Sequence, residues 1–163
     1  MSGWLRDTWW VLEKDLRIER RTGEIVTTSG FFAVLIVVIA SMALNLSSAQ
    51  AMVAPGVMWI SIAFAAVLAL GRSWHREREE SALIGLLVSP LRRSAIFAGK
   101  ALGILLFLIA IEVLVVPTTT LLFALDLPKI TPGLVLISAA AMPGVAATGT
   151  LFGAMTARTR ARD

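Results

Sequence analysis

Four long apolar runs dominate this chain, and nearly all of its charge lies before, between or after them. A helix advances about 1.5 Å per residue, so about 20 mostly apolar residues cross the hydrocarbon of a bilayer. The runs reach that length at about 28–48, 52–71, 96–125 and 134–157. In lipid every backbone N–H and C=O must find its partner inside the structure, and a helix satisfies them within one segment. The sequence therefore predicts an all-α integral membrane protein with four spans, residues 1–163 forming one transmembrane domain. Breaks are expected at Pro55-Gly56, at Thr131-Pro132-Gly133 and at Pro143-Gly144. Lys100, Glu112 and Pro117 interrupt the third run.

Composition supports the same class. Hydrophobic residues make up 57% and charged residues 16%, against just under half and roughly a quarter in soluble domains. A net charge of +4 would suit a nucleic-acid binder, but the basic residues cluster in short loops, as in membrane proteins. No nucleic-acid partner is expected. Five bases precede the first span, six (Arg72, Arg76, Arg78, Arg92, Arg93, Lys100) lie between the second and third, and three follow the fourth. Fourteen of the fifteen thus fall on one side, Lys129 being the exception. The positive-inside rule makes that side cytoplasmic, with both termini of this chain.

Residues 3–21 read as an amphipathic helix, with Leu5, Trp9, Leu12 and Leu16 at helical spacing and Trp10 beside them. Tryptophan favours the headgroup boundary, so this helix is expected to lie on the membrane, contacting lipid ahead of the first span. The alternative is packing against a soluble partner. Ala49-Gln50-Ala51 resembles a signal cleavage site, but the apolar run before it is longer than the usual h-region. The segment ahead of that run also carries as many acids as bases. Gly99 with Gly103, and Gly149 with Gly153 and Ala157, are spaced by four and mark expected helix contacts. Ala140, Gly144 and Thr148 share a similar register.

Little in the chain can carry chemistry. It has no cysteine and one histidine, His75, which leaves few ligands for zinc or haem. Gly99-Lys100 lacks the earlier glycine and the following Ser or Thr of a phosphate loop, having Ser94 and Ala101 there. No catalytic, metal or cofactor site is expected in this chain. Glu112 is the one acid inside a span, about 18 Å of helix rise from Lys100. An ionisable residue at that depth costs about 2.5–3.5 kcal/mol on insertion scales. Glu112 is therefore either a group that meets substrate or partner, or a carboxyl hydrogen-bonded within the bundle, for instance to Thr118–Thr120 of a neighbour.

The cytoplasmic loop at 72–95 holds the other candidate site. Its start, from Arg72 to Glu80, reads as a charged continuation of the second span. Ser81 can then cap a short helix over 82–88 that Ser89-Pro90 stops. Leu83, Ile84, Leu86 and Leu87 give that helix an apolar ridge, flanked by Glu77, Glu79 and Glu80. Such a ridge in water needs a cover. The candidates are the chain's own first helix and a cytoplasmic partner.

The run from Glu77 to Pro90, followed by Arg93-Ser94-Ala95-Ile96 and Gly99-Lys100, resembles the loop between the second and third spans of type-2 ABC exporter permeases. Ala54-Pro55-Gly56 with Trp59, Gly71-Arg72-Ser73, Glu112 with Pro117, and Gly149-Thr150-Leu151-Phe152 are further matches, as is the stretch from Thr156 to Arg162. Together they are similar to the cytochrome c maturation protein B (CcmB, haem exporter protein B) family over nearly the whole chain. The resemblance implies a permease subunit in a bacterial inner membrane, working in c-type cytochrome biogenesis with an ATPase (CcmA), haem-handling subunits (CcmC, CcmD) and a haem chaperone (CcmE). ATP and haem would be held by those partners. It also implies a six-span bundle, of which this sequence shows four spans. The alternatives are a permease of another type-2 ABC exporter, for a drug, lipid or polysaccharide, and a membrane anchor for the ATPase.

Overall fold

In the computed structural model, residues 2–44, 50–79 and 91–159 are described. They form five α-helices: α1 (Ser2–Thr22), α2 (Glu24–Leu44), α3 (Gln50–Glu79), α4 (Arg93–Leu122) and α5 (Leu127–Thr159). Four of them contain a stretch long and apolar enough to cross a bilayer, at Glu24–Leu44, Met52–His75, Arg93–Leu122 and Pro132–Met155. Among the described residues the protein is all-helical, with four such spans and an amphipathic first helix.

α4 is the centre of the assembly and touches each of the other four helices. Ile104, Phe107, Leu108, Ile111 and Val115 recur at helical spacing along it and are buried. They meet small residues on their neighbours: Ala33 on α2, and Ala54, Ala65, Ala66 and Ala69 on α3, all of them buried. Lipid tails are as apolar as leucine, so association in a bilayer depends on close packing, which small side chains permit. The large apolar side chains Phe31, Ile39, Met42, Phe64 and Val67 point outward, where lipid would cover them.

One residue separates α1 from α2. Gly23 has φ +62°, a left-handed conformation that costs a residue with a Cβ about 1–2 kcal/mol. Its N–H donates to the Glu19 carbonyl at 2.6 Å, closing α1. The Glu19 carboxylate then accepts the Val26 N–H at 2.9 Å, satisfying a donor of the first turn of α2 that has no partner within that helix. On the same side Arg72 of α3 pairs with Glu24 of α2 at 2.6 Å. α4 ends at Phe123, whose N–H donates to the Thr119 carbonyl at 2.9 Å. Ala124 follows at φ 51°, a place usually given to glycine.

The helices differ from the expected runs at their edges. α3 passes through Pro55 and α5 passes through both Pro132 and Pro143, so the anticipated breaks lie inside continuous helices. Proline removes one backbone bond and bends a helix without having to end it. The charged continuation of the second span is helical as far as Glu79. The short helix expected at 82–88 lies outside the described residues.

Candidate functional site

The first cluster lies where α1 crosses α4. On α1, Thr8, Val11, Leu12, Asp15 and Glu19 are buried, a stripe at helical spacing that is mostly polar. α4 receives it with Gly99 and Gly103. A Cβ added at Gly99 would stand 2.7 Å from Val11 Cβ and 2.8 Å from the Thr8 carbonyl oxygen, and one at Gly103 would sit 3.5 Å from the Asp15 carboxylate. The backbones therefore approach as closely as glycine allows. Between the two glycines, Lys100 reaches across and donates to Asp15 at 3.1 Å. Both side chains are nearly inaccessible, 5% and 9% exposed, so this ion pair is inside the protein. Lys14 also meets Asp15 at 3.2 Å, and the Lys100 ammonium lies 5.7 Å from the centre of the Trp74 ring of α3. Trp4 donates from its indole nitrogen to the Ser94 hydroxyl at 3.1 Å, tying the two helices at their ends.

One expectation changes here. Lys100 belongs to the buried interior of α4 and not to the cytoplasmic loop with which its charge was grouped. The amphipathic helix turns a polar stripe inward and leaves most of the face expected to meet lipid exposed. Leu12 of the expected stripe is buried, but Leu5, Trp9 and Trp10 are each more than 60% exposed. The polar stripe through Asp15 takes the protein side because Lys100 and the glycines await it, and the tryptophans are left for the surroundings.

The second cluster is a groove of about 460 Å³ between α4 and α5. Glu112 of α4 and Ser138 of α5 lie on its floor, and the Ser138 hydroxyl donates to the Glu112 carboxylate. The expected Thr118–Thr120 partners are otherwise engaged. Their hydroxyls donate to the carbonyls of Leu114, Val115 and Pro117 on their own helix. A third contact, between α3 and α5, sets Gly149 against Leu70 and Gly153 against Trp74.

The family model described as CcmB protein matches residues 6–163. The chain belongs to the CcmB family. No curated protein and no solved structure matches it. Membership of the CcmB family places it among the permease subunits of the ABC-type system for cytochrome c maturation, as a multi-pass inner-membrane protein.

Set within the CcmB family, the candidate residues divide sharply. Glu112 is brought into contact with another span, while Glu77 and Glu79 fall on the last turns of α3. Glu80, Leu83, Ile84, Leu86 and Leu87 lie outside the described residues. Asp15 and Glu19 were missed in the sequence, because acids on a basic amphipathic helix look like solvated charge. Their i, i+4 spacing with Val11 was the signal available. Lys100 between Gly99 and Gly103 was its counterpart on α4.

Proposed function

We propose that this chain couples ATP hydrolysis by a partner ATPase to release of a haem-loaded chaperone, or to another haem-handling step, on the outer face of a bacterial inner membrane. The match to the CcmB family over residues 6–163 carries this reading. Both termini of the chain and the 72–95 loop face the cytoplasm, as the distribution of basic residues favours. The ATPase docks on the Leu83, Ile84, Leu86 and Leu87 ridge, with Glu77, Glu79 and Glu80 pairing at its rim. Haem-handling membrane subunits and the chaperone meet the bundle elsewhere. ATP and haem are held by those partners.

The geometry supplies a route for force. α3 has 30 residues and is about 45 Å long, which exceeds the roughly 30 Å of bilayer hydrocarbon. A charged end that continues a span beyond the hydrocarbon supports an ATPase contact there. The loop beyond it leads into α4, and α4 carries α1 with it through the Asp15–Lys100 pair. Motion imposed at the loop reaches every helix through the one at the centre.

Leu83→Asp and Leu87→Asp test the docking. Each drives a carboxylate into an apolar groove, which costs several kcal/mol, so the ATPase is expected to be lost on co-purification at equal membrane levels of the permease. Single Glu→Gln changes at 77, 79 or 80 should weaken recovery slightly, most visibly at low salt. Undiminished recovery with both aspartates would place the docking surface elsewhere, with α1 the next candidate.

A further inference from the structure

α5 changes neighbours halfway along. Its first half is tied to α4, where the Ser138 hydroxyl donates to the Glu112 carboxylate. Its second half, beyond Pro143, meets α3, with Gly149 against Leu70 and Gly153 against Trp74. The segment between the two is suited to bending. Pro143 leaves the Ala139 carbonyl without its helical N–H donor, and Gly144 follows at once. The Thr148 hydroxyl donates to the Gly144 carbonyl at 2.7 Å, a back-bond that favours a bend. A Cβ added at Gly144 would meet nothing within 4 Å, so no described neighbour braces the backbone there.

The contact made by the second half carries a defect. A Cβ added at Gly149 or Gly153 would collide with the Leu70 side chain or the Trp74 indole, so α5 is seated on α3 through side-chain ends resting on glycine. The Trp74 indole N–H is buried there and has no acceptor among the described residues. Leaving a buried donor unmade costs more than an average hydrogen bond contributes, and such an orphan marks stored strain. Beside it a cavity of about 740 Å³ lies between α3 and α5, lined by Leu70, Trp74, Gly149 and Gly153. The same turn of α3 is held on its other sides. Arg72 pairs with Glu24 of α2 at 2.6 Å, and the Trp74 ring lies 5.7 Å from the Lys100 ammonium of α4. If the strained contact yields, the helix free to leave is α5.

We infer that the second half of α5 is a hinged arm, which turns about Pro143-Gly144 between a position closed on α3 and one swung clear of it. The first half stays on α4 through Glu112 and Ser138. In the closed position, the one described above, the Trp74 N–H is unsatisfied. In the open position water or a lipid headgroup at that end of the span accepts it, the level at which tryptophan is favoured. The cost of the orphaned donor therefore sets the balance between the two positions. Both follow from the helices as membrane spans, independently of the ATP-coupled role.

The test is a spin-label distance measurement on the full chain in lipid nanodiscs. The chain has no cysteine, so two introduced cysteines carry both labels. Phe31→Cys with Phe152→Cys reports on the second half of α5, and Met42→Cys with Leu136→Cys on the first; all four side chains are exposed. The first-half pair should give one distance and the second-half pair two, the closed one matching the structure. Trp74→Phe keeps an aromatic ring and removes the orphaned N–H, so it should raise the ratio of closed to open by about fivefold or more. Gly153→Ala puts a Cβ into the indole and should lower that ratio. Pro143→Ala restores the missing backbone donor and should merge the two distances into one. A single distance from the second-half pair in the unaltered background would overturn the inference, as would a first-half pair that splits in parallel. So would a ratio indifferent to both Trp74→Phe and Gly153→Ala, or two distances that survive Pro143→Ala.

Discussion

At the scale of single residues, the structure concentrates its electrostatics in one place. Asp15 has two cations near it, Lys100 and Lys14. Removing one member of a buried pair commonly costs about 3–5 kcal/mol. Asp15→Ala and Lys100→Gln are therefore each expected to lower the melting temperature in detergent clearly, and Asp15→Lys with Lys100→Asp should regain part of the loss. An unchanged melting temperature in Asp15→Ala would show that the pair contributes nothing to stability. The pair was hard to read in the sequence because its halves lie 85 positions apart, and each looks ordinary where it stands. Glu112 was easier, since an acid within an apolar run has no ordinary explanation. Its partner was not legible, because Ser138 is an unremarkable residue until α5 is set against α4.

At the scale of helices, the glycine spacings were the most informative local signal. Gly99 and Gly103 admit α1, and Gly149 and Gly153 admit α3, so spacing by four marked real contacts while giving no hint of the partner. The proline positions misled in the opposite sense. They read as ends, yet Pro55, Pro132 and Pro143 sit inside helices, because in lipid an interrupted helix leaves more polar backbone to satisfy than a bent one. Alanine tells the two kinds of glycine apart. At Gly144 an added Cβ meets nothing within 4 Å, so Gly144→Ala should stabilise by up to about 1 kcal/mol through helix propensity. At Gly99 the same propensity gain competes with a backbone oxygen at 2.8 Å and the Val11 side chain. Overpacking of that kind costs about 1–3 kcal/mol, so Gly99→Ala should destabilise. Thermal melting of the two variants in one detergent decides the matter, and a stabilising Gly99→Ala would mean that α1 sits more loosely than described.

For the whole molecule, the class and the number of spans followed from run length alone, while the arrangement did not. Nothing in an apolar run says which neighbour it prefers, since lipid and protein are equally apolar. The orientation we propose rests on charge: with Lys100 inside the protein, thirteen of the fifteen basic residues lie on one side and Lys129 on the other. A cysteine at Ser48 should react with an impermeant maleimide added to intact cells, and one at Ser89 should react only after permeabilisation. Labelling at Ser89 in intact cells would invert the assignment. One consequence concerns Gly23. α1 is joined to α2 by that single residue but is held mainly by α4, which itself packs on α2. The three helices thus form a closed linkage with one soft pivot. If α4 tilts against α2 while α1 stays clamped to it, the angle between α1 and α2 must change by the same amount. That rotation has to be taken up as torsion within a residue or two of Gly23.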